Sequence, residues 1–193
     1  MTKLIRATLM GASALAIAFS LAPITATPSF AEKTVNVGGA AMFPSKNIIE
    51  NAVKSKDHTT LVAAVKAAGL VDTLSGKGPF TVFAPTNAAF EKLPKETVPT
   101  LLKPENKGQL TGILTYHVVA GKMSAQDIAK KAKEMGGKVE LTTVAGGKLW
   151  LQGDDKGGWW VVDEKGGKAH ITIANVFQSN GVIHVIDGVM LPK

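Results

Sequence analysis

NGVIHVIDGVMLPK, residues 180–193, is the stretch whose reading decides the fold. A β-branched apolar run from Val182 to Ile186 stands between two turn dipeptides, Asn180-Gly181 and Asp187-Gly188, which is the pattern of a strand entered and left by tight turns. Alternation puts Val182, His184 and Ile186 on one face and Ile183, Val185 and Asp187 on the other. Apolar neighbours on both faces predict a central strand with His184 buried. A buried imidazole must find a partner for each ring nitrogen or lose roughly 1–3 kcal/mol. The expectation is therefore a core histidine with both nitrogens satisfied. A ligand or acid–base role needs a second titratable group, for which only His117 and Asp187 offer themselves, and Asp187 is already explained by the turn.

Working back from this strand, segments 139–143, 148–152, 159–163, 169–176 and 182–187 alternate as strands, separated by glycine-rich turns at 145–147, 153–158 and 165–167. Further upstream the period becomes helical. Ser124 with Asp127 three residues on is a capping-box variant opening a helix that Gly136-Gly137 closes, and Pro104 suits the first turn of a helix whose face holds Leu110, Ile113, Leu114 and His117. Asn47 with Glu50 forms another cap, and Leu61, Ala64, Val65 and Ala68 share a face before Gly69. A β-rich run at 80–84 breaks at Pro85, after which Thr86 caps a short helix carrying Phe90. Helices gathered in the first half and an antiparallel set in the second predict an α+β domain, with no internal repeat.

The chain is 193 residues long. Residues 1–31 have the zones of an export signal: Lys3 and Arg6, an apolar run, and Ser29-Phe30-Ala31 before a cut. The apolar run falls short of the roughly 20 residues a membrane span needs, so the product is expected to be soluble in the periplasm or outside the cell rather than integral to a membrane. Residues 32–46 show no periodicity and read as an arm, leaving 47–193 as a single domain. With 0 cysteines there is no disulfide, thiolate metal site or cysteine nucleophile. The net charge of +7 comes from scattered lysines, too diffuse for a nucleic-acid footprint but a mild attraction to anionic envelope polymers.

Three separated tracts, TVFAPTNAAF at 81–90, YHVV at 116–119 and the closing strand, resemble the fasciclin-like (FAS1) family in order and approximate spacing, above all its small secreted bacterial members. The resemblance runs from about residue 44 to 192. It implies a wedge of two β-sheets with helices packed on one side, and it marks Thr81, Phe83, Pro85, Thr86, Phe90, Asn180, Gly181, His184 and Asp187 as motif residues of the scaffold. In animal matrix members the tyrosine–histidine region and the strand before the closing motif are linked to integrin binding, so Tyr116, His117, Asn175 and Val176 are the adhesive candidates the resemblance implies. The Asp-Ile pair usual there is Asn175-Val176 here, which removes the carboxylate.

Trp150, Trp159 and Trp160 fall within eleven residues. Adjacent strand residues point to opposite faces, so Trp159 and Trp160 cannot both enter one core. A ring left at the surface beside Lys148 and Lys156 suits stacking on a sugar, a polyene or a partner protein. His58, His117, His170 and His184 lack metal-motif spacing, no serine sits in a nucleophile elbow, and GKGP at 76–79 lacks the rest of a phosphate loop. The functional expectation is an exported, non-enzymatic binding or adhesion module with no cofactor or metal, whose partner is a cell-surface protein or an envelope or matrix polysaccharide. The alternative is a carrier of an apolar small molecule, with Met42, Phe43 and a tryptophan as lining candidates, since some family members of photosynthetic organisms bind carotenoids. An envelope hydrolase ranks behind both.

Overall fold

Helices precede the main strands along residues 33–193, the part of the chain that the computed structural model describes. The order is β1 (Val35–Val37), β2 (Ala40–Met42), α1 (Ile48–Ala52), α2 (Thr59–Ala68), α3 (Val71–Ser75), β3 (Phe80–Pro85), α4 (Asn87–Glu91), α5 (Thr97–Leu101), α6 (Lys107–Tyr116), β4 (Val118–Ala120) and α7 (Ala125–Glu134). β5 (Lys138–Thr142), β6 (Lys148–Gly153), β7 (Trp159–Val162), β8 (Lys168–Gln178) and β9 (Gly181–Ile186) complete it. The expected export signal lies outside the described residues. Among the described residues no helix is long and apolar enough to cross a membrane.

The α+β class is as expected, but the strands do not divide into two packed sheets. Of the nine, β1 and β2 pair separately as a hairpin and seven form one sheet in the order β4-β3-β9-β8-β7-β6-β5. Its two edges nearly meet: Val119 bridges Thr143, and the Val144 N–H donates to the Val118 carbonyl at 2.7 Å. Near-closure of this kind satisfies edge groups that an open sheet leaves exposed. β9 runs parallel to β3 on one side and antiparallel to β8 on the other, so all six of its residues are buried. The parallel β3–β9 pair is the one departure from the expected antiparallel set.

The curl of the sheet creates two apolar cores, and β9 supplies both. Ile183 and Val185 face a core shared with Leu61, Val65, Leu74 and Ile113 from the helices. Ile186 faces the interior of the curl with Phe83, Val139, Leu149, Leu151 and Val161. Ile128 and Ala132 of α7 pack into this second core, so the helices do not all lie on one side.

Local chemistry explains the termini. Ser124 Oγ accepts from the Asp127 N–H, and Asp127 Oδ2 accepts from the Ser124 N–H at 2.9 Å; Asn47 and Glu50 make the same reciprocal pair for α1. Three hairpins of the sheet use one turn design. Thr143, Asp154 and Asp163 each precede a Gly-Gly pair by three residues, each N–H donates to the carbonyl of the second glycine, and the first glycine takes φ of 87°, 81° and 83° respectively. The expected irregular arm over 32–46 is corrected: Val37 and Met42 of the β1–β2 hairpin are buried in the helical core. Gly38 and Gly39, at φ 58° and 75°, make the turn, and a side chain at Gly38 would collide with Ser55 and Asp57. Period-based reading passes over such three-residue strands.

Candidate functional site

The motif residues hold the frame. His184 Nε2 donates to the Met123 carbonyl at 2.9 Å, its Nδ1 accepts from the Asn175 N–H at 3.4 Å, and the ring stacks on Phe83 at 5.8 Å. Thr81 Oγ1 donates to the Gly121 carbonyl and accepts from the Met123 N–H. Pro85 pairs with Ile186, Thr86 Oγ1 accepts from the Ala89 N–H at the start of α4, and Phe90 packs against the helical core. Asn180 joins three elements: its Oδ1 accepts from the Ile48 N–H while its Nδ2 donates to the Leu74 and Gly76 carbonyls. Gly181 follows where a Cβ would run into the Phe80 carbonyl. Asp187 Oδ1 accepts from the His170 N–H at 2.7 Å, and Lys92 Nζ donates to the Asp187 carbonyl at 2.6 Å.

Tyr116 and His117 lie in the interior, with 0% and 3% of their surface exposed. The Tyr116 hydroxyl donates to the Lys148 carbonyl at 2.6 Å and accepts from the Glu164 N–H at 3.1 Å. His117 Nδ1 donates to the Ile113 carbonyl at 2.8 Å and Nε2 accepts from the Met190 N–H at 3.0 Å. Burial holds the His117 pKa down at about 4. Both rings tie α6 to the strands and to the last residues of the chain, so neither presents a surface to a partner. Val176 is buried too. Asn175 is half-buried at a bulge of β8 with φ 59°, a conformation asparagine tolerates. Its Oδ1 accepts from the Ala125 N–H at 2.7 Å and its Nδ2 donates to Gln126 Oε1, which fastens the start of α7.

The tryptophans lie elsewhere, on β6 and β7. Trp159 packs against the interior core, while Trp160 points to the outer face of the sheet, as alternation requires. Two cross-strand rows run over that outer face. One is Lys138, Gln152, Trp160 and His170; the other is Glu140, Trp150, Val162 and Lys168. Trp150, Trp160, Val162 and His170 are half-buried, and the others are exposed. The indoles are held in place by their neighbours. Trp150 Nε1 donates to Glu140 Oε2 at 3.1 Å, Lys138 Nζ stands 4.9 Å over the Trp150 ring, and Lys148 pairs with Glu140 at 2.6 Å. Trp160 meets His170 edge-on at 5.0 Å, and His170 Nε2 lies 3.2 Å from Asp154 Oδ2. That hydrogen-bonding turn keeps the Asp154 carboxyl below its usual range, with the Gly158 N–H as the largest cause. Trp150 and His170 complete the surface; cross-strand pairing brings them there, and a list of adjacent residues does not.

Sequence reasoning also missed three buried polar groups. Asn51 Nδ2 donates to the Phe43 carbonyl and to Gln178 Oε1, bringing the hairpin, α1 and β8 together. Asp163 Oδ1 closes its own turn and its Oδ2 accepts from the Leu191 N–H at 3.0 Å; the repeated Asp-x-Lys-Gly-Gly pattern at 154–158 and 163–167 is the signal that marks it. His58 shares a 2.9 Å hydrogen bond with Ser55 Oγ through Nδ1, while Nε2 makes no hydrogen bond of normal geometry and the Ala84 backbone offers the ring only a weak one. His58 borders an apolar cavity of about 50 Å³ between α1, α2, α3 and the β3–β9 pair. Met42 lines this cavity, whereas Phe43 and the tryptophans do not.

A family model, the fasciclin domain, matches residues 56–192. The chain is 47% identical over 161 residues to protein sll1483 of Synechocystis sp., an alignment covering 83% of this chain and 82% of that protein. It is 36% identical over 146 residues to the immunogenic protein MPB70 of Mycobacterium bovis, covering 73% and 66% respectively. The solved structure of a FAS1 domain pair from the insect cell adhesion molecule fasciclin I matches with a TM-score of 0.68 at 20% identity, over 76% of this chain and 51% of that one. At that identity the likeness speaks for the fold alone.

Proposed function

We infer what this chain does from one premise: it belongs to the fasciclin (FAS1) domain family. It is an exported, non-enzymatic binding module of the cell envelope or extracellular space, and it recognises its partner through the outer face of β5–β8. The observation that carries this reading is the pair of half-buried indoles, Trp150 and Trp160, on the outer face of β6 and β7, while α7 packs through Ile128 and Ala132 against the opposite, interior side. Orientated aromatic rings lose little entropy when a partner seats on them. His117 and His184 do no acid–base chemistry, since each ring nitrogen already holds a hydrogen bond within the scaffold. Export is through residues 1–31, cut before Glu32, and mass spectrometry of the secreted protein tests that terminus.

The experiment for the surface is retention on the native host's envelope fraction. Wild-type protein binds saturably, and Trp160→Ala binds at least about tenfold more weakly with an unchanged fold by circular dichroism. Absence of saturable wild-type retention on envelope, whole cells and matrix would refute the reading. A second reading, carriage of an apolar small molecule, rests on the cavity beside His58, where an apolar ligand with one polar atom would satisfy Nε2. At about 50 Å³ the cavity is far below the roughly 300–1,000 Å³ of drug-sized ligand sites. A polyene enters only if α1 and α2 part. Organic extraction of protein purified from its host tests this, and a colourless, lipid-free extract counts against it.

A further inference from the structure

The chemistry around Trp150 and Trp160 says more than that the face is sticky. Lys138, Lys148 and Lys168 share it with two carboxylates, Glu140 and, beside His170, Asp154. Glu140 is committed to Lys148 and to Trp150 Nε1, which leaves Lys138 and Lys168 as the charges set on either side of the indoles. Protein–protein interface cores are depleted in lysine, so this composition argues against a protein hot spot. Indole faces instead accept the C–H faces of sugar rings, and Gln152 and His170 add polar atoms of the kind that pair with hydroxyls. Single-stranded nucleic acid also stacks on aromatics, but it is held in grooves that track its backbone, and the outer side of a sheet curled nearly shut is convex.

We propose that this face binds an anionic polysaccharide, with Trp160 and Trp150 packing against sugar rings and Lys138 and Lys168 pairing with the acid groups on either side. The inference rests on the reading of the same face as the contact surface and names its partner class. Lys138 already lies over the Trp150 ring, so a uronic or similarly charged sugar arriving there meets a cation and a ring face together. Attraction to the polymer then includes the release of its counterions and weakens with salt.

The test uses purified protein and polygalacturonate, with the fully methyl-esterified polymer as the same backbone without charge. All 3 tryptophans of the chain are on β6 and β7, so intrinsic fluorescence reports occupancy directly. The expected result is a saturable emission change with polygalacturonate, at least about tenfold weaker with the ester and weakened by added salt. Trp160→Leu, which keeps apolar packing but no ring, loses about tenfold. The double variant Lys138→Gln/Lys168→Gln loses several-fold, while Lys103→Gln, far from the face, changes nothing. Equal binding of the ester overturns the proposal. So does loss of binding in the lysine double variant with none in Trp160→Leu, which marks simple charge adsorption. Tighter binding of oligo-dT than of polygalacturonate assigns the face to nucleic acid and also overturns it. If no polysaccharide binds but envelope retention still falls in the Trp160 variants, this proposal fails while the contact surface stands. If wild-type protein is not retained on envelope at all, the underlying reading fails.

Discussion

Lowering the pH from 7 to 4 is expected to destabilise this protein mainly through its buried histidines, and His117 sets the scale. The ring is neutral in the fold because burial opposes its charge, Nε2 must accept from the Met190 N–H, and the attraction of Asp163 is too weak to offset this. Its pKa is about 4 in the fold against 6.5 in the unfolded chain. Between those values the unfolded chain binds the extra proton, so stability present above pH 6.5 is lost as the pH falls toward 4. At 1.36 kcal/mol per unit, about 2.5 units amount to ~3 kcal/mol from this single ring. His58 and His184 are also held below the usual histidine value by burial and act in the same direction. The carboxylates held down by hydrogen bonds, Asp127, Glu140 and Asp154, begin to lose their contribution as the pH falls to their ordinary values of 4.5 for glutamate and 3.8 for aspartate, so the upper part of the window belongs to the histidines. Urea denaturation at pH 7, 5.5 and 4.5 is the assay. With an m-value of about 1–3 kcal/mol/M, ~3 kcal/mol moves the midpoint by roughly 1–3 M. His117→Gln lowers stability at pH 7 but flattens the pH slope by about one proton's worth. A midpoint that does not change across this range, a slope unchanged in His117→Gln, or a His117 ring titrating near pH 6.5 by NMR would refute the reasoning.

Tyr116→Phe removes the hydroxyl shared by Lys148 and Glu164 and is expected to cost about 1–3 kcal/mol, read as a lower melting temperature without loss of envelope retention. Asn175→Asp keeps the acceptor for the Ala125 N–H at the positive end of α7 and should leave stability within about 1 kcal/mol, while Asn175→Ala loses both that bond and the residue type suited to φ 59°, costing about 1–3 kcal/mol by thermal melts. Gly181→Ala drives a methyl group into the Phe80 carbonyl at the β3–β9 pair and should lower expression of folded protein, measured as soluble yield and melting temperature. Ser55→Ala/His58→Leu replaces a half-satisfied buried pair with apolar groups, so stability at pH 7 should hold and the loss at pH 5 should shrink, as followed by the same urea midpoints.

What the sequence made legible follows from range. Capping boxes, the 59–68 helix with its buried face, and the alternation of the closing strand are set within a few residues, and the fold keeps each of them. The parallel pairing of β3 with β9 joins residues about a hundred positions apart, and near-closure of the sheet joins Val119 to Thr143; no local period encodes either. The hairpin of β1 and β2 escaped because three residues are too few to show alternation, and its anchor is a side chain on α1, Asn51, bonding to the backbone of Phe43.

The candidate site divides along the same line. A tyrosine and histidine adjacent in sequence look like a motif, yet the helix end that carries them turns both inward, where their hydrogen bonds serve Lys148, Glu164, Ile113 and Met190. Trp159 and Trp160, also adjacent, separate to opposite sides because a strand alternates. The surface forms only when register sets Trp160 beside Gln152 and His170, and Trp150 beside Glu140 and Val162. Its composition was readable from the chain, but its geometry belongs to the pairing of β5 through β8. A one-residue slip of β7 would exchange Trp160 for Trp159 on the outer face and bury the wrong ring. The three Gly-Gly turns that fix this register are therefore as much a part of the binding surface as the rings themselves.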